Sequence, residues 1–306
     1  MPDTRRTTKP KILVIVGPTA SGKSDLAVSL ARRFNGEVIS ADSRQVYRGM
    51  NIGSGKITKR EMLGIPHHLL DVASPTARRV FTVADYQKLA DAAIADILSR
   101  GKLPILCGGT GFYIDAVVSG AVLPDVPPNP RLRAQLEKKS PAQLMKILNK
   151  LDPRRAAEID AQNPRRLVRA IEITKALGSV PAATHAPLKY KALFIGIDIE
   201  KDELKKRIAA RLQSRLKKGM ANEVRRLHER DGLSWKRMES FGLEYRYLAH
   251  FVRGKIFREE MIAELETAIS QYARRQMSWF KRNEKIAWMK PAQKTEITKR
   301  VKNFLK

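Results

Sequence analysis

The sequence predicts an α/β fold: a parallel sheet flanked by helices, interrupted by an all-helical insertion. Three observations predict it. Short apolar runs alternate with helical periods through residues 1–123. The runs are unbroken by polar residues, as strands covered on both faces are. Between two proline clusters, the strand signals vanish and later return.

The elements follow in order. Lys11–Val16 is a continuous apolar run of strand length, and Gly17–Gly22 is a glycine-rich turn. Lys23–Phe34 sets Leu26, Ala27, Leu30 and Ala31 at helical spacing before Asn35-Gly36 stops it. Glu37–Ser40 reads as a second strand ending at Asp42-Ser43, Val83–Ser99 as an amphipathic helix, and Leu103–Cys107 as a third strand. Gly108-Gly109-Thr110-Gly111 is a second tight turn before a helix. Alternation of this kind implies right-handed crossovers, with ligands beyond the carboxyl ends of the strands, where both glycine turns fall.

The pattern changes at Leu123. Pro124, Pro127, Pro128 and Pro130 mark one boundary and Pro181–Pro187 another. Residues 124–190 therefore read as a helical insertion in a core made of 1–123 and 191–306. Its helices are Asn129–Lys139, Ala142–Asn149, Asp152–Ile159 and Asn163–Ala176, the last with Asn163 as N-cap and Pro164 at its first position. Leu167, Ala170, Ile171 and Thr174 line one face of that helix, and Arg165, Arg166 and Arg169 another. Ala192–Asp198 returns to the sheet, and basic helices follow at Lys201–Lys218, Met220–Glu229, Leu243–Phe251 and Arg258–Lys281.

Charge narrows the partners. The 306 residues carry 59 Lys and Arg against 31 Asp and Glu, a net charge of +28. Net charges of +7, +7 and +14 over 1–123, 124–190 and 191–306 show that the excess is not one tail. A surface of this kind favours a polyanion, because neutralised phosphates release counterions; a merely soluble basic surface is the plain alternative. One cysteine, Cys107, excludes a disulfide framework, a thiolate zinc cluster and a CxxC pair, and suits the cytoplasm. The basic start Met1–Arg6 is followed by no secretory apolar region, and no run approaches a membrane span.

Gly17-Pro18-Thr19-Ala20-Ser21-Gly22-Lys23-Ser24 fits G-x-x-x-x-G-K-[ST], with a strand before it and a helix after. Its backbone N–H groups and the helix N-terminus would cradle a di- or triphosphate. Lys23 would reach the terminal phosphate and the Ser24 hydroxyl would ligate Mg²⁺. Asp42 is a magnesium ligand, a base beside the phosphates or a turn-forming residue. His67 and His68 point to opposite faces if the segment is a strand, which favours structural roles over a shared metal. Cys107 reads as a small buried apolar residue. Tyr47, Phe112 and Tyr113 flank the two turns and would stack on a base or line an apolar pocket, with core packing the alternative for Phe112. Arg207 and Arg211, one turn apart, would complete a phosphate clamp or form a solvated face.

In order and spacing, these segments resemble tRNA dimethylallyltransferases: Gly17–Ser24, Asp42–Tyr47, Met50–Gly53, Pro66–Asp71, Gly108–Tyr113, Asn163–Arg169 and Gln271–Gln276. The resemblance covers nearly the whole chain and implies a P-loop NTPase-like core whose helical insertion contacts the tRNA anticodon stem-loop. It implies transfer of a dimethylallyl group from dimethylallyl diphosphate to N6 of the adenosine at tRNA position 37, assisted by Mg²⁺. It further implies that Asp42 is the general base, with Thr19 near the reacting amine. Asp42, Ser43, Arg44, Gln45, Thr110, Arg133 and Arg165 to Arg169 (with Leu167 and Val168 between) would contact tRNA. So would Glu239, Ser240, Phe241, Gly242, Leu243 and Glu244. Gly53-Ser54-Gly55-Lys56-Ile57 replaces the more usual Gly-Thr-Ala-Lys-Pro, and Glu239–Arg246 departs from the commoner Gly-Tyr-Arg/Lys form. The zinc-finger extension of eukaryotic relatives is absent, as in the short bacterial form. A cytoplasmic monomer is expected.

The chemistry agrees. An adenine N6 amine is a poor nucleophile that needs a base and a strong electrophile. A phosphate cradle supplies the second need by neutralising a departing diphosphate. Two other readings compete. A small-molecule or nucleoside kinase explains Gly17–Ser24 without the charge, and an RNA-binding NTPase explains both without the downstream motifs.

Overall fold

The computed structural model describes residues 9–120, 124–182 and 187–306. The segment Met1–Arg6 and the change of pattern at Leu123 lie outside them. The chain divides into two compact units: Met1–Ser119 with Leu188–Lys306, and Gly120–Pro187.

The first unit begins β1 (Lys11–Val16), α1 (Lys23–Arg33), β2 (Gly36–Ala41), α2 (Lys59–Met62), β3 (His67–His68), α3 (Val83–Ser99), β4 (Leu103–Gly108) and α4 (Gly111–Val118). The second unit holds α5 (Pro130–Leu136), α6 (Pro141–Leu151), α7 (Pro153–Glu158) and α8 (Pro164–Leu177). The first then resumes with β5 (Lys191–Ile197), α9 (Lys201–Lys217), α10 (Met220–Glu229), α11 (Trp235–Ser240), α12 (Leu243–Val252), α13 (Arg258–Phe280), β6 (Ile286–Met289) and α14 (Lys294–Leu305).

Six parallel strands run in the order β3-β2-β4-β1-β5-β6. β1 lies between β4 and β5, so that Val14 faces both Leu106 and Phe194 in register. Period-2 alternation sends its side chains into two cores. Ile12, Val14 and Val16 join the larger one, beneath α3, α4 and α9–α13. Leu13 and Ile15 join the smaller, covered by α1 and α14. This two-sided burial is why the strands read as unbroken apolar runs.

The second unit has its own core, around Leu144, Leu148, Leu167 and Ile171. All four of its helices start the same way: Asn129, Ser140, Asp152 and Asn163 each accept a backbone N–H at the N-cap, with proline next. Pro130, Pro141, Pro153 and Pro164 therefore open helices, since the first helical turn needs no N–H donor there.

The sequence reading passes over α2, α11, β3, β6 and α14. The first four are two to six residues long, too short for periodicity. The pair β3 is a strand only because Val38 and Ile39 of β2 lie opposite it. As expected of opposite faces, His67 Nδ1 pairs with the Ile65 carbonyl at 2.9 Å and His68 Nε2 with Glu37 at 2.7 Å. Among the described residues no group of His, Cys, Asp and Glu is placed to hold a metal, and no helix is long and apolar enough to cross a membrane.

Glu37 is the one charged residue of β2, and its side chain is 1% exposed. Arg100 binds both its oxygens, at 2.5 and 2.8 Å, Lys102 one at 2.7 Å, and His68 completes the set. The Arg100 hydrogen bond comes first in holding this carboxyl well below the usual range, and burial opposes it. Its contribution is therefore full above the ordinary carboxylate pKa and is lost as pH falls below it. Glu37→Gln is expected to cost about 2 kcal/mol near neutral pH and to narrow the stability difference from wild type in acid. Urea unfolding at several pH values measures both.

Candidate functional site

β1 ends in a loop whose Ala20 (φ 62°) and Gly22 (φ 89°) adopt left-handed backbone. Such alternation turns successive N–H groups toward one point, and α1 adds the positive end of its dipole. Lys23 folds back over this cradle, its Nζ 3.1 Å from the Pro18 carbonyl. Ser24 is exposed at the first turn of α1. Gly17, Pro18 and Ser21 are buried, so they shape the loop from within.

The second glycine turn, after β4, is joined to the first by a residue for which the sequence offered only its place in a resembling segment. Gln276 of α13 is 5% exposed. Its Oε1 accepts the Thr19 N–H at 2.8 Å, and its Nε2 donates to the Gly109 carbonyl at 2.9 Å. A Cβ at Gly109 would overlap that amide, which is why glycine stands there.

Asp42 follows β2. Its Oδ1 accepts the Arg44 and Gln45 N–H groups at 2.8 and 3.3 Å, which fixes the turn, while Oδ2 takes part in no hydrogen bond among the described residues. Thr110 N donates to the Ala41 carbonyl, and Thr110 Oγ1 accepts from Ser43 N, each at 3.1 Å. Tyr272, whose hydroxyl burial pushes up, stands on the same cavity as Asp42 and Ser43. Asp42, Ser43, Thr110 and Tyr272 thus meet at one place. Gln45 reaches the Gly55 carbonyl, and Arg44 Nε donates to the Phe241 carbonyl at 2.6 Å.

A cavity of about 140 Å³ opens here, walled by Thr19, Lys23, Ser24, Asp42, Arg211, Arg215, Glu244, Phe241 and Tyr272. A second, of about 540 Å³, shares Lys23, Ser24, Ile57, Arg211 and Arg215 with it and continues past Arg207 and Lys218. The P-loop lysine and two arginines therefore stand on a wall common to both. Burial lowers the pKa of Lys23, and Arg211 and Arg215 lower it further. Arg211 is brought down to about 10 by burial and then by Arg215. Burial also raises Glu244, although Arg215 Nη1 lies 3.2 Å from it. An anion seated among these cations would relieve both the desolvation and the repulsion. Of the expected clamp of Arg207 and Arg211, Arg207 pairs with Glu203 at 2.7 Å, is 40% exposed and lines only the outer cavity, whereas Arg211 stands with Arg215, which the sequence reading did not single out, on the wall common to both.

The divergent loop 51–57 is anchored from α10. Glu223 accepts the Asn51, Ile52 and Gly53 N–H groups at 2.9, 2.7 and 3.0 Å, and the Tyr245 hydroxyl at 2.9 Å. Gly53 packs against the Tyr245 ring, and Gly55 (φ 61°) leaves the room that Arg215 fills. Lys56 is spent on Tyr47, Asn51 and Asp71.

The aromatic expectation needs correcting. Tyr47 and Tyr113 are buried, Tyr113 stacked on Tyr86 at 4.0 Å, and Phe112 lies on the surface; none of the three walls the cavity. Phe241 and Tyr272 do. His67 and Cys107 also touch it; burial pushes the Cys107 thiol up to about 12, so it is no nucleophile near neutral pH. Of the segment 239–244, Gly242, Leu243 and Glu244 reach the cavity with Phe241, whereas Glu239 pairs with Arg253 and Ser240 caps Arg237.

In the second unit, Arg165 and Arg166 are exposed, and Leu167 and Val168 are core residues whose side chains cannot reach a partner. Arg133 and Arg169 both bind buried Glu172, at 2.7 and 2.6 Å, and remain about one-third exposed. They present a braced guanidinium pair.

Comparison with known proteins places this geometry. The family model described as IPP transferase matches residues 45–283. The tRNA dimethylallyltransferase 2 of Trichlorobacter lovleyi is 44% identical over 283 residues, 91% of each chain. That of Citrifermentans bemidjiense is 46% identical over 273 residues, 89% of this chain and 87% of its own. The crystal structure of the full-length tRNA isopentenylpyrophosphate transferase of Bacillus halodurans matches with a TM-score of 0.73 at 37% identity, covering 96% of each chain. A eukaryotic dimethylallyltransferase caught acting on tRNA matches with a TM-score of 0.72 at 27% identity, over 89% of this chain and 70% of its own.

Gln276→Leu removes the bridge between the two turns and leaves the Thr19 N–H and Gly109 carbonyl without a partner. The variant is expected to bind inorganic pyrophosphate about tenfold more weakly. Isothermal titration calorimetry checks this; wild-type affinity would show that the cradle holds its shape alone.

Proposed function

The chain belongs to the IPP transferase family, and we propose that it transfers a dimethylallyl group from dimethylallyl diphosphate to N6 of the adenosine at position 37 of tRNA. The observation that carries this reading is Asp42 on one cavity with Lys23, Arg211 and Arg215, where a base and an anion cradle face the same space. Neither kinase nor NTPase chemistry requires the basic face of α8, and the relatives' names favour transfer.

In this reading the diphosphate lies against the cradle, with Lys23, Arg211 and Arg215 meeting the charge that grows as the allylic C–O bond breaks. The departing diphosphate takes the bonding electron pair. The adenine N6 lone pair forms the new C–N bond, and the N6 proton passes to the Asp42 carboxylate, whose Oδ2 is free to receive it. Thr19 stands beside the amine, its backbone held by Gln276. Arg44, Gln45 and Thr110 hold Asp42 and its turn in place while the base, swung out of the anticodon loop, enters.

The donor set fits Mg²⁺ brought in with the diphosphate. Among the described residues there is no carboxylate or histidine cage, and Ser24 offers one exposed hydroxyl in the P-loop position. Ser24 would hold the ion, which would supply further neutralisation of the leaving group. The second unit, with Arg165 and Arg166 exposed and Arg133 and Arg169 braced by Glu172, would grip the anticodon stem-loop. The protein would act as a cytoplasmic monomer.

Incubation with tRNA and dimethylallyl diphosphate, without ATP, is expected to yield prenylated adenosine; nucleotide hydrolysis without prenylation would discard the proposal. Asp42→Ala is expected to lose about 10²–10⁴-fold in turnover with tRNA affinity little changed. Arg166→Ala is expected to weaken tRNA binding and to lower the slope of log Kd against log salt by about one. Single-turnover kinetics and filter binding at several salt concentrations measure these.

A further inference from the structure

The amino ends of the strands, at the opposite end of the sheet from the cavity, carry charge that the chemistry above does not use. Lys11 opens β1 in register with Lys191, the first residue of β5, whose N–H donates to the Pro10 carbonyl at 2.9 Å. The Lys11 ammonium donates to the Leu305 carbonyl at 2.9 Å and lies over the Phe304 ring, which pins the last turn of α14 to the same place. Helix α1 also ends there, because the Asn35 carbonyl that follows it accepts the N–H of Leu103, the first residue of β4. Since β1 lies between β4 and β5, α1 and α14 cover one face of the sheet side by side.

Each segment that arrives brings cations. Lys9 and Lys191 are exposed at the strand starts, and Arg32 and Arg33 in the last turn of α1. Lys299, Arg300, Lys302 and Lys306 are exposed along α14. Among the described residues none of these is in a salt bridge. Residues 9–16, 26–36, 191–197 and 297–306 hold no Asp or Glu at all. Of the carboxylates nearby, Glu37 is bound to Arg100 and Lys102, Asp96 to Arg100 and Asp91 to Lys189, while Glu296 stands in the first turn of α14, at its far end. The positive charge of this face is therefore unopposed, which draws a polyanion to it.

Its surroundings narrow the occupant. Six residues of strand put the face about 20 Å from the P-loop. A stiff RNA stem whose loop enters the cavity leaves from the carboxyl ends of the strands and points away from it. Phe34 packs against the core and Phe304 lies under Lys11, so no open ring invites an unpaired base. None of the exposed large apolar side chains among the described residues belongs to these segments, and Ile297 and Val301 of α14 are spent in the core. A helix that lies on a membrane needs such a face free. A second copy of the chain brings its own +28 against these cations. Exposed cations without rings suit the phosphate backbone of a duplex, met without regard to sequence.

We propose that this face binds the backbone of a second RNA duplex, the stem of another tRNA, while the cavity holds the first. The choice of RNA rests on the reading that the chain acts on tRNA.

The test titrates the full-length protein with tRNA at low salt and counts bound tRNA by sedimentation velocity. Wild type is expected to take two tRNA molecules per chain. The double variants Arg32→Gln/Arg33→Gln and Lys299→Gln/Lys302→Gln, which change exposed side chains only, are each expected to take one. A labelled blunt RNA duplex, added in trace to the one-to-one tRNA complex, should bind wild type and bind each variant about tenfold more weakly, with the slope of log Kd against log salt lower by about two. Affinity for the first tRNA and prenyl transfer should stay within twofold. One tRNA per wild-type chain, or two per chain in both variants, would overturn the proposal. An equal loss on the first tRNA would also overturn it, since one RNA would then reach both ends of the sheet. So would binding to vesicles of equal phosphatidylserine and phosphatidylcholine with none to the duplex, which would give the face to a membrane. Absence of prenyl transfer in wild type would discard the reading of the cavity, and the count of bound RNA would still decide this one.

Discussion

The repulsion among Lys23, Arg211 and Arg215 is the constraint on which the rest of the structure depends. Three cations brought together at the carboxyl ends of parallel strands, partly stripped of water, oppose folding unless something fixes them in place. Burial leads the downward shifts of Lys23 and Arg211, and the neighbouring arginines add to both. A lysine whose folded pKa lies below its unfolded value contributes a destabilisation that eases as pH rises through the folded pKa. An anion in the cradle relieves the same strain at any pH, so the ligand completes the electrostatics of the fold. Glu244 and Asp42 stand close enough to moderate the repulsion but leave the wall of both cavities cationic.

What fixes the cations comes from distant parts of the chain. Arg211 and Arg215 lie one turn apart on α9, and loop 51–57, against which they rest, is held by Glu223 of α10 through three backbone N–H groups. Gln276 of α13 holds the P-loop and the turn at Gly109 together. The helices after β5 therefore brace a site whose reacting groups come mainly from the first 110 residues. Helix α13 does this through one face, from Tyr272 in the cavity to Trp279 on the surface.

Much of this was legible in the sequence, for physical reasons that can be named. The strands at Lys11–Val16 and Leu103–Gly108 showed because burial on both faces leaves no polar residue to blur them. The P-loop showed because its two glycines, lysine and serine stand at a fixed spacing between a strand and a helix. The helices of the second unit showed through proline and its caps. What stayed hidden depends on contacts across the chain. Gln276 is an ordinary helical glutamine until β1 and β4 bring two backbone groups within 3 Å of its amide. Arg215 cannot be told from Arg207 by spacing, and only the packing of α9 buries one and solvates the other. Leu167 and Val168 sit inside a segment that resembles an RNA contact, yet helical periodicity turns them into the core. Strand β6 exists because β5 has an open edge beside it.

The most direct test of the central claim is the titration of the Lys23 ammonium itself, followed by NMR with and without inorganic pyrophosphate. Its pKa is expected to lie below the ordinary lysine value in the free protein and to rise when pyrophosphate is added. An ordinary value that pyrophosphate leaves unmoved would contradict the account, because the cradle would then hold no unrelieved positive charge.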